Sequence, residues 1–221
     1  MTPSGAEAFL ESVGGYWRAG GWLMCPLAIT AYMIMYRSLV LLRALREAVA
    51  TRDGYYGALA ERVRSGVSRR DCYEWLLAQS GAVPRVAWHV LLRTAKGMPL
   101  RVAFRQCRDA EISRHTRGMA MLAVLVAVAP LLGLLGTVLG MVGTFQAVGV
   151  RHADTAVMVA DGIGQALVTT QIGLVAALPG TFALAYLQRL LRRLANDIDR
   201  CESYLVVNGA EKWSSRSGEA I

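Results

Sequence analysis

The sequence predicts an all-α membrane protein, with three transmembrane helices that carry long cytoplasmic helical extensions, and three observations predict it. Hydrophobic residues make up 54% of the 221 positions and charged residues only 18%, where a soluble domain carries roughly 25% charged residues. The charges are also unevenly placed: Ala19–Tyr36, Gly118–Val150 and Gly162–Gln188 hold no Asp, Glu, Lys or Arg over 18, 33 and 27 residues. A helix needs about 20 apolar residues to cross a hydrocarbon core, and 221 residues cannot wrap three such helices in a polar shell. The apolar content excludes low-complexity disorder, and four cysteines are too few for a disulfide scaffold.

Residues 1–18 are expected to form a periplasmic N-terminal segment. It holds Glu7 and Glu11, and its one basic residue is Arg18. That is the reverse of a basic leader region, so the first span is expected to be retained. Transmembrane helix 1 is placed at 19–42, where Arg37 can snorkel and Ser38 to Leu42 extend the apolar run. A cytoplasmic helical domain follows at 43–117. Breaks fall at Asp53-Gly54, Ser65-Gly66, Ser80-Gly81 with Pro84, and Gly97 with Pro99. Between them, helices at roughly 68–80 and 84–96 place Trp75, Leu76, Trp88, Leu91 and Leu92 in a core.

From Leu100 a helix can run into transmembrane helix 2 at 118–148, its Arg101, Arg105 and Arg108 forming a solvated basic stripe. At 1.5 Å per residue the charge-free run would reach roughly 50 Å, so it must tilt, break or project beyond the bilayer. A short periplasmic link at 149–162 leads to transmembrane helix 3 at 163–188. The remainder, 189–221, is a cytoplasmic helix and tail in which Leu187, Leu191, Leu194, Ile198, Cys201 and Leu205 repeat at three-to-four spacing.

Orientation follows from the loops. Segment 37–117 has 16 Lys and Arg against seven acids, while the link 151–161 has one basic residue. By the positive-inside rule the N-terminus and the link face outward and the C-terminus inward. The net charge of +8 is thereby a record of membrane orientation, and nucleic-acid binding is not expected.

Chemistry-bearing patterns are sparse. Spans 2 and 3 contain no Asp, Glu, His, Lys or Arg, so an intramembrane hydrolase or metal enzyme has no base, carboxylate pair or ligand cluster to work with. No enzyme activity, metal or cofactor is expected. Span 2 places Pro130, Gly133, Thr137, Gly140 and Thr144 on one face, with Gly136 and Gly140 forming a GxxxG; span 3 aligns Ala166, Thr170, Gly173, Ala177 and Thr181. Small residues let membrane helices approach closely. Such stripes serve either packing, with each hydroxyl bonded to its own helix, or a lined seam.

The runs APLLGLLGTVLGMVGTF at 129–145 and GIGQALVTTQIGLVAALPG at 162–180, with GGWLMCPL at 20–27, resemble the MotA/TolQ/ExbB proton-channel family, nearer its three-span ExbB and TolQ members. The resemblance implies a homopentamer in the bacterial inner membrane around the helices of a smaller ExbD/TolR-like partner. That partner's membrane Asp carries protons and works with a TonB- or TolA-like protein. It implies that Thr137 and Thr170 line the pore, and Thr144 and Thr181 on the same stripes are further candidates. Two positions depart from the pattern. Gln165 stands where Glu is frequent and Gln171 where Ala is usual; both are candidates for partner contact. The function expected is a proton-channel subunit that energises transport or envelope work at the outer membrane. The alternative is a non-conducting scaffold that holds partner membrane proteins.

Overall fold

The computed structural model describes residues 21–49, 54–65, 67–150 and 155–207. Among these, regular structure is helical and no strand occurs. A short 3-10 turn at Gly21–Leu23 opens into α1 (Met24–Val49); α2 (Tyr55–Arg64), α3 (Arg69–Leu77) and α4 (Ala82–Ala95) follow, then the long α5 (Leu100–Val150) and α6 (Thr155–Val207). Helices α1, α5 and α6 each contain a stretch long and apolar enough to cross a membrane. The protein is a multi-pass membrane protein.

The short helices begin and end where the sequence supplies breakers. Gly54 precedes α2 at φ 82, a left-handed conformation that disfavours any side chain, and Gly97 closes α4 at φ 90. Helix α2 is one the breaker pattern bracketed without a periodic signal of its own. It has ten residues, with Gly57 third among them, too short a run for a 3.6-residue period to stand out.

The chain forms two compact units, and the boundary between them falls inside α1, α5 and α6. One unit takes the described parts of Met1–Ser38 and Met121–Leu184; the other takes Leu39–Ala120 and the described part of Ala185–Ile221. The first is the apolar one. Its contacts centre on Leu27, Ile34, Leu122, Ala129, Ala166 and Ala177, all buried. Ile29, Met33, Leu131, Leu134, Val138, Leu167, Leu174 and Phe182 lie exposed on its outside. In water that surface would be strongly unfavourable; against acyl chains or partner helices it is not.

The second unit packs like a soluble helical domain. Leu45, Leu59, Leu76, Val83, Leu91, Phe104, Leu187, Leu194, Ile198 and Leu205 are nearly or fully buried. The apolar face of the last helix is therefore covered by this chain's own residues. Tyr55 stacks on Trp75 at 5.5 Å between centroids, and the Arg62 guanidinium lies over the Trp75 ring, 4.8 Å from its centroid. Of the basic stripe on α5, Arg101 and Arg105 are exposed, while Arg108 pairs with Asp199 at 2.7 Å and so ties α5 to α6. Cys72 and Cys201 are fully buried, Cys107 is nearly so, and all four cysteines are free.

Two outcomes follow. Ile198→Ala leaves a cavity in a sealed core and should cost about 2–4 kcal/mol, read as a lowered thermal midpoint in detergent. Leu77→Ala, at a side chain 67% exposed, should leave the midpoint nearly unchanged. Burial pushes the Cys72 thiol above its ordinary range, with Arg62 offsetting part of the effect. A raised thiol pKa means less thiolate at a given pH, so native Cys72 should alkylate far more slowly at pH 8 than after denaturation, by mass tagging.

Candidate functional site

In the apolar unit α5 and α6 approach closely, and the approach is made by residues without side chains. A Cβ on Gly133 would stand 3.0 Å from both the Thr169 carbonyl oxygen and the Thr170 Cα; one on Gly173 would stand 2.8 Å from the Ala129 carbonyl oxygen. Neither position admits alanine unless the backbones part. A Cβ on Gly136 would run into the Thr169 side chain, with Thr169 Cβ at 2.8 Å, and one on Gly162 would run into Thr144. Gly140 faces the Ala166 methyl. A third helix joins at Gly180, where Ile34 of α1 and Val126 of α5 both close on the glycine.

Buried positions along α6 run Gly162, Ala166, Thr169, Gly173, Ala177, Gly180, and along α5 they include Leu122, Ala129, Gly133 and Gly136. Along α6 the steps mix three and four, as a 3.6-residue period requires. A residue one step to either side of that line falls at its margin. Accordingly Pro130, Thr137, Gly140, Thr144 and Thr170 are half-buried at the edge of the seam, and Thr181 and Gln171 are exposed. The Gln165 side chain lies outside the described residues.

The hydroxyls divide into two kinds. Thr137 donates to the Leu134 carbonyl at 2.7 Å, Thr144 to Gly140 at 2.8 Å and Thr181 to Ala177 at 3.0 Å, each within its own helix. Thr170 instead crosses the seam and donates to the Gly133 carbonyl at 3.1 Å. Thr169, which the spacing did not single out, is 2% exposed. It donates to Ala166 at 2.8 Å and leans toward the same Gly133 oxygen at 3.4 Å. The sequence did carry a signal for it: from Ala166 the next position on a 3.6 period lies between Thr169 and Thr170, so both belong to the seam. The structure thus brings Thr170, Thr169, Gly133, Gly136 and Gly173 together. Thr137 stands one turn beyond Gly133 on α5, while Thr144 sits against Gly162 and Thr181 lies three turns from Thr170.

Among the described residues no group of three or more His, Cys, Asp or Glu is placed to hold a metal. What remains is a seam of backbone and hydroxyl oxygen in an apolar unit. The profile of the MotA/TolQ/ExbB proton channel family matches residues 90–200, a stretch that contains the whole seam.

The chain belongs to the MotA/TolQ/ExbB proton channel family.

Individual relatives agree. An ExbB-like biopolymer transport protein of Synechocystis sp. is 35% identical over 123 residues, 54% of this chain and 46% of that one. The biopolymer transport protein ExbB of Xanthomonas campestris pv. campestris is 38% identical over 88 residues, 40% of this chain and 35% of its own. The Tol-Pal system protein TolQ of Haemophilus influenzae is 29% identical over 178 residues, 75% of each. The chain thus spans less than half the length of these two ExbB-type relatives and three quarters of the TolQ one.

The knob-and-hole contact of Thr169 in Gly136 is testable by itself. Gly136→Ala should part α5 and α6 and lower the thermal midpoint. Adding Thr169→Gly should recover part of that loss, a coupling of about 0.5–3 kcal/mol for residues in contact. Simple additivity of the two changes would show that the contact is not made.

Proposed function

We propose that this chain is the channel subunit of an inner-membrane complex that uses the proton motive force to energise transport or envelope work at the outer membrane. In this reading it assembles as a homopentamer, with its N-terminus periplasmic and its C-terminus cytoplasmic. The ring encloses a small single-span partner of ExbD/TolR type with an Asp in its membrane helix, and a TonB- or TolA-like protein carries the motion outward. Family membership and the names of the relatives support it, and so does the distribution of Lys and Arg along the chain.

The observation that carries the reading is the composition of the seam. Two helices meet in hydroxyl and carbonyl oxygen, yet neither has an Asp, Glu, His, Lys or Arg between Gly118 and Val150 or between Gly162 and Gln188. A proton cannot be handed along this wall by acid–base groups of the wall itself, so the ionisable carrier must be supplied by the partner. Apolar surroundings raise the pKa of a carboxyl by disfavouring its charged form. The partner's acid is thus held neutral against the ring and ionises where water reaches it. One charge crossing 100 mV yields about 2.3 kcal/mol, enough to bias the direction of such a cycle. Thr137 and Thr170 line the path, Thr144 and Thr181 flank it, and Gln165 and Gln171 face the partner or the neighbouring subunit.

The test is proton flux in vesicles holding this chain with its co-expressed partner. Changing Thr137→Ala and Thr170→Ala together should cut flux by about tenfold or more, the equivalent of two lost hydrogen bonds, with co-purification retained. Unchanged flux in an intact complex removes the lining role. A wild-type complex that assembles and conducts nothing favours the scaffold.

A further inference from the structure

A cavity of about 820 Å³ opens within the second unit, between α1, the turn after α3, α4 and α5. That volume is of the size small-molecule sites occupy, ~300–1,000 Å³, and no residue of the α5–α6 seam lines it. Its walls are of two kinds. Leu41 and Ala44 of α1 with Leu76 and Leu77 of α3 make an apolar side. Arg85, Trp88 and His89 come from one face of α4, and Arg114 and His115 from α5. One carboxylate, Glu47 of α1, completes the charged set.

The basic groups have bonds to give. Arg85 meets Glu111 at 3.0 Å through one nitrogen, and a guanidinium has five N–H donors. The His115 side chain is only 11% exposed, and its Nε2 stands 3.7 Å from Glu111 Oε1, beyond hydrogen-bond reach. That buried nitrogen has no hydrogen-bond partner, and a buried polar atom left unpaired is costly.

Two of the helices that wall the cavity run directly into apolar spans. On α5, Arg114 and His115 stand four and three residues before Gly118, where the charge-free run begins, roughly 6 and 4.5 Å along the helix. On α1, Leu41 stands five residues past Tyr36, the last of its run, and Glu47 eleven, roughly 7.5 and 16.5 Å. From the apolar runs outward, the α5 basic side chains therefore come first and the carboxylate farther out. A phospholipid with a terminal amine has its groups in that order: acyl chains, then phosphate, then ammonium.

We propose that the cavity holds the headgroup of an ethanolamine-type phospholipid. Arg114, Arg85 and His115 take the phosphate, Glu47 takes the ammonium, and the leucines cover the glycerol end of the chains. A guanidinium fork matches phosphate oxygens, and with its proton on Nε2 the His115 ring donates to another. Basic pockets beside membrane helices are a recognised setting for headgroups. A purely anionic headgroup would satisfy the arginines but set its charge against Glu47, and a soluble phosphate would leave the leucine wall wet. Binding requires only this chain in a bilayer, whatever its spans conduct.

The test is lipid retention by the full chain, extracted from vesicles of equal phosphatidylethanolamine and phosphatidylglycerol and weighed intact by mass spectrometry. The ethanolamine lipid should be retained over the glycerol lipid by about tenfold, the equivalent of one charge-assisted bond. Glu47→Gln should erase that preference while keeping phosphatidylglycerol, and Arg114→Gln should cut retention of both by about tenfold. Both side chains are exposed, so the thermal midpoint of the lipid-free protein should hold. Arg101→Gln, the same charge change at an exposed position of α5 outside the cavity, should change nothing.

Equal loss in Arg101→Gln and Arg114→Gln means general attraction to a basic surface and overturns the proposal. So does a wild-type chain that holds both lipids equally or neither, and so does a preference that survives Glu47→Gln. Glycerophosphoethanolamine, the same headgroup without chains, should displace the lipid only in large excess. Displacement at matched concentration makes the ligand a soluble phosphate ester and overturns the assignment to lipid.

Discussion

Lipid chains are as apolar as leucine, so helices within a bilayer gain little by hiding apolar surface from one another. They are held by close contact and by hydrogen bonds, and close contact requires the side chains to be absent. The crossing at Gly133 and Gly173 meets that requirement. A Cβ at Gly173 would come within 2.8 Å of the Ala129 oxygen and 3.2 Å of the Gly133 Cα. The other features of the apolar unit depend on this approach. It brings the Gly133 carbonyl within reach of α6, lets Thr169 fill the space left open at Gly136, and leaves Thr170 at the edge with its hydroxyl across the seam.

The second unit is built on a different balance. Its core is leucine, isoleucine and aromatic rings in contact with one another, which is the solution available where water supplies the driving force. Ionic groups reinforce it at the margin. Arg108 meets Asp199 at 2.7 Å and Arg85 meets Glu111 at 3.0 Å, though partly exposed pairs of this kind contribute at most about 1 kcal/mol each. Helices α5 and α6 take part in both regimes. Their sequences record the change directly, since Arg117 is the last charge on α5 before the apolar run and Arg189 the first on α6 after it.

The length of the charge-free runs made the three long helices legible, because charge in hydrocarbon is costly whatever the fold. The cores around Leu76, Leu91 and Ile198 were legible from spacing. Helix α2 was bracketed by Gly54 and Ser65 but had too few turns to declare itself. Within the seam, Gly133, Gly136 and Gly173 stood out as small residues that let helices approach closely. Thr169 did not, because the stripe read from Ala166 took Thr170 at i+4, while the sealed residue is the i+3 neighbour on the other side of the same 3.6-residue line. A small-residue pattern identifies which helices meet; which neighbour of the stripe is sealed and which is left at the edge depends on crossing geometry that one helix's sequence does not contain.

For a membrane threonine, a bond to a backbone carbonyl does more than satisfy the hydroxyl. Left free, a hydroxyl rotates and can donate or accept. Tied to a carbonyl three or four residues back, or to one on the facing helix, it is held in a single rotamer with its lone pairs aimed in a fixed direction. Thr137 and Thr170 reach that state by different routes, the first through Leu134 and the second through Gly133. In both, the bond that serves packing also orients the group.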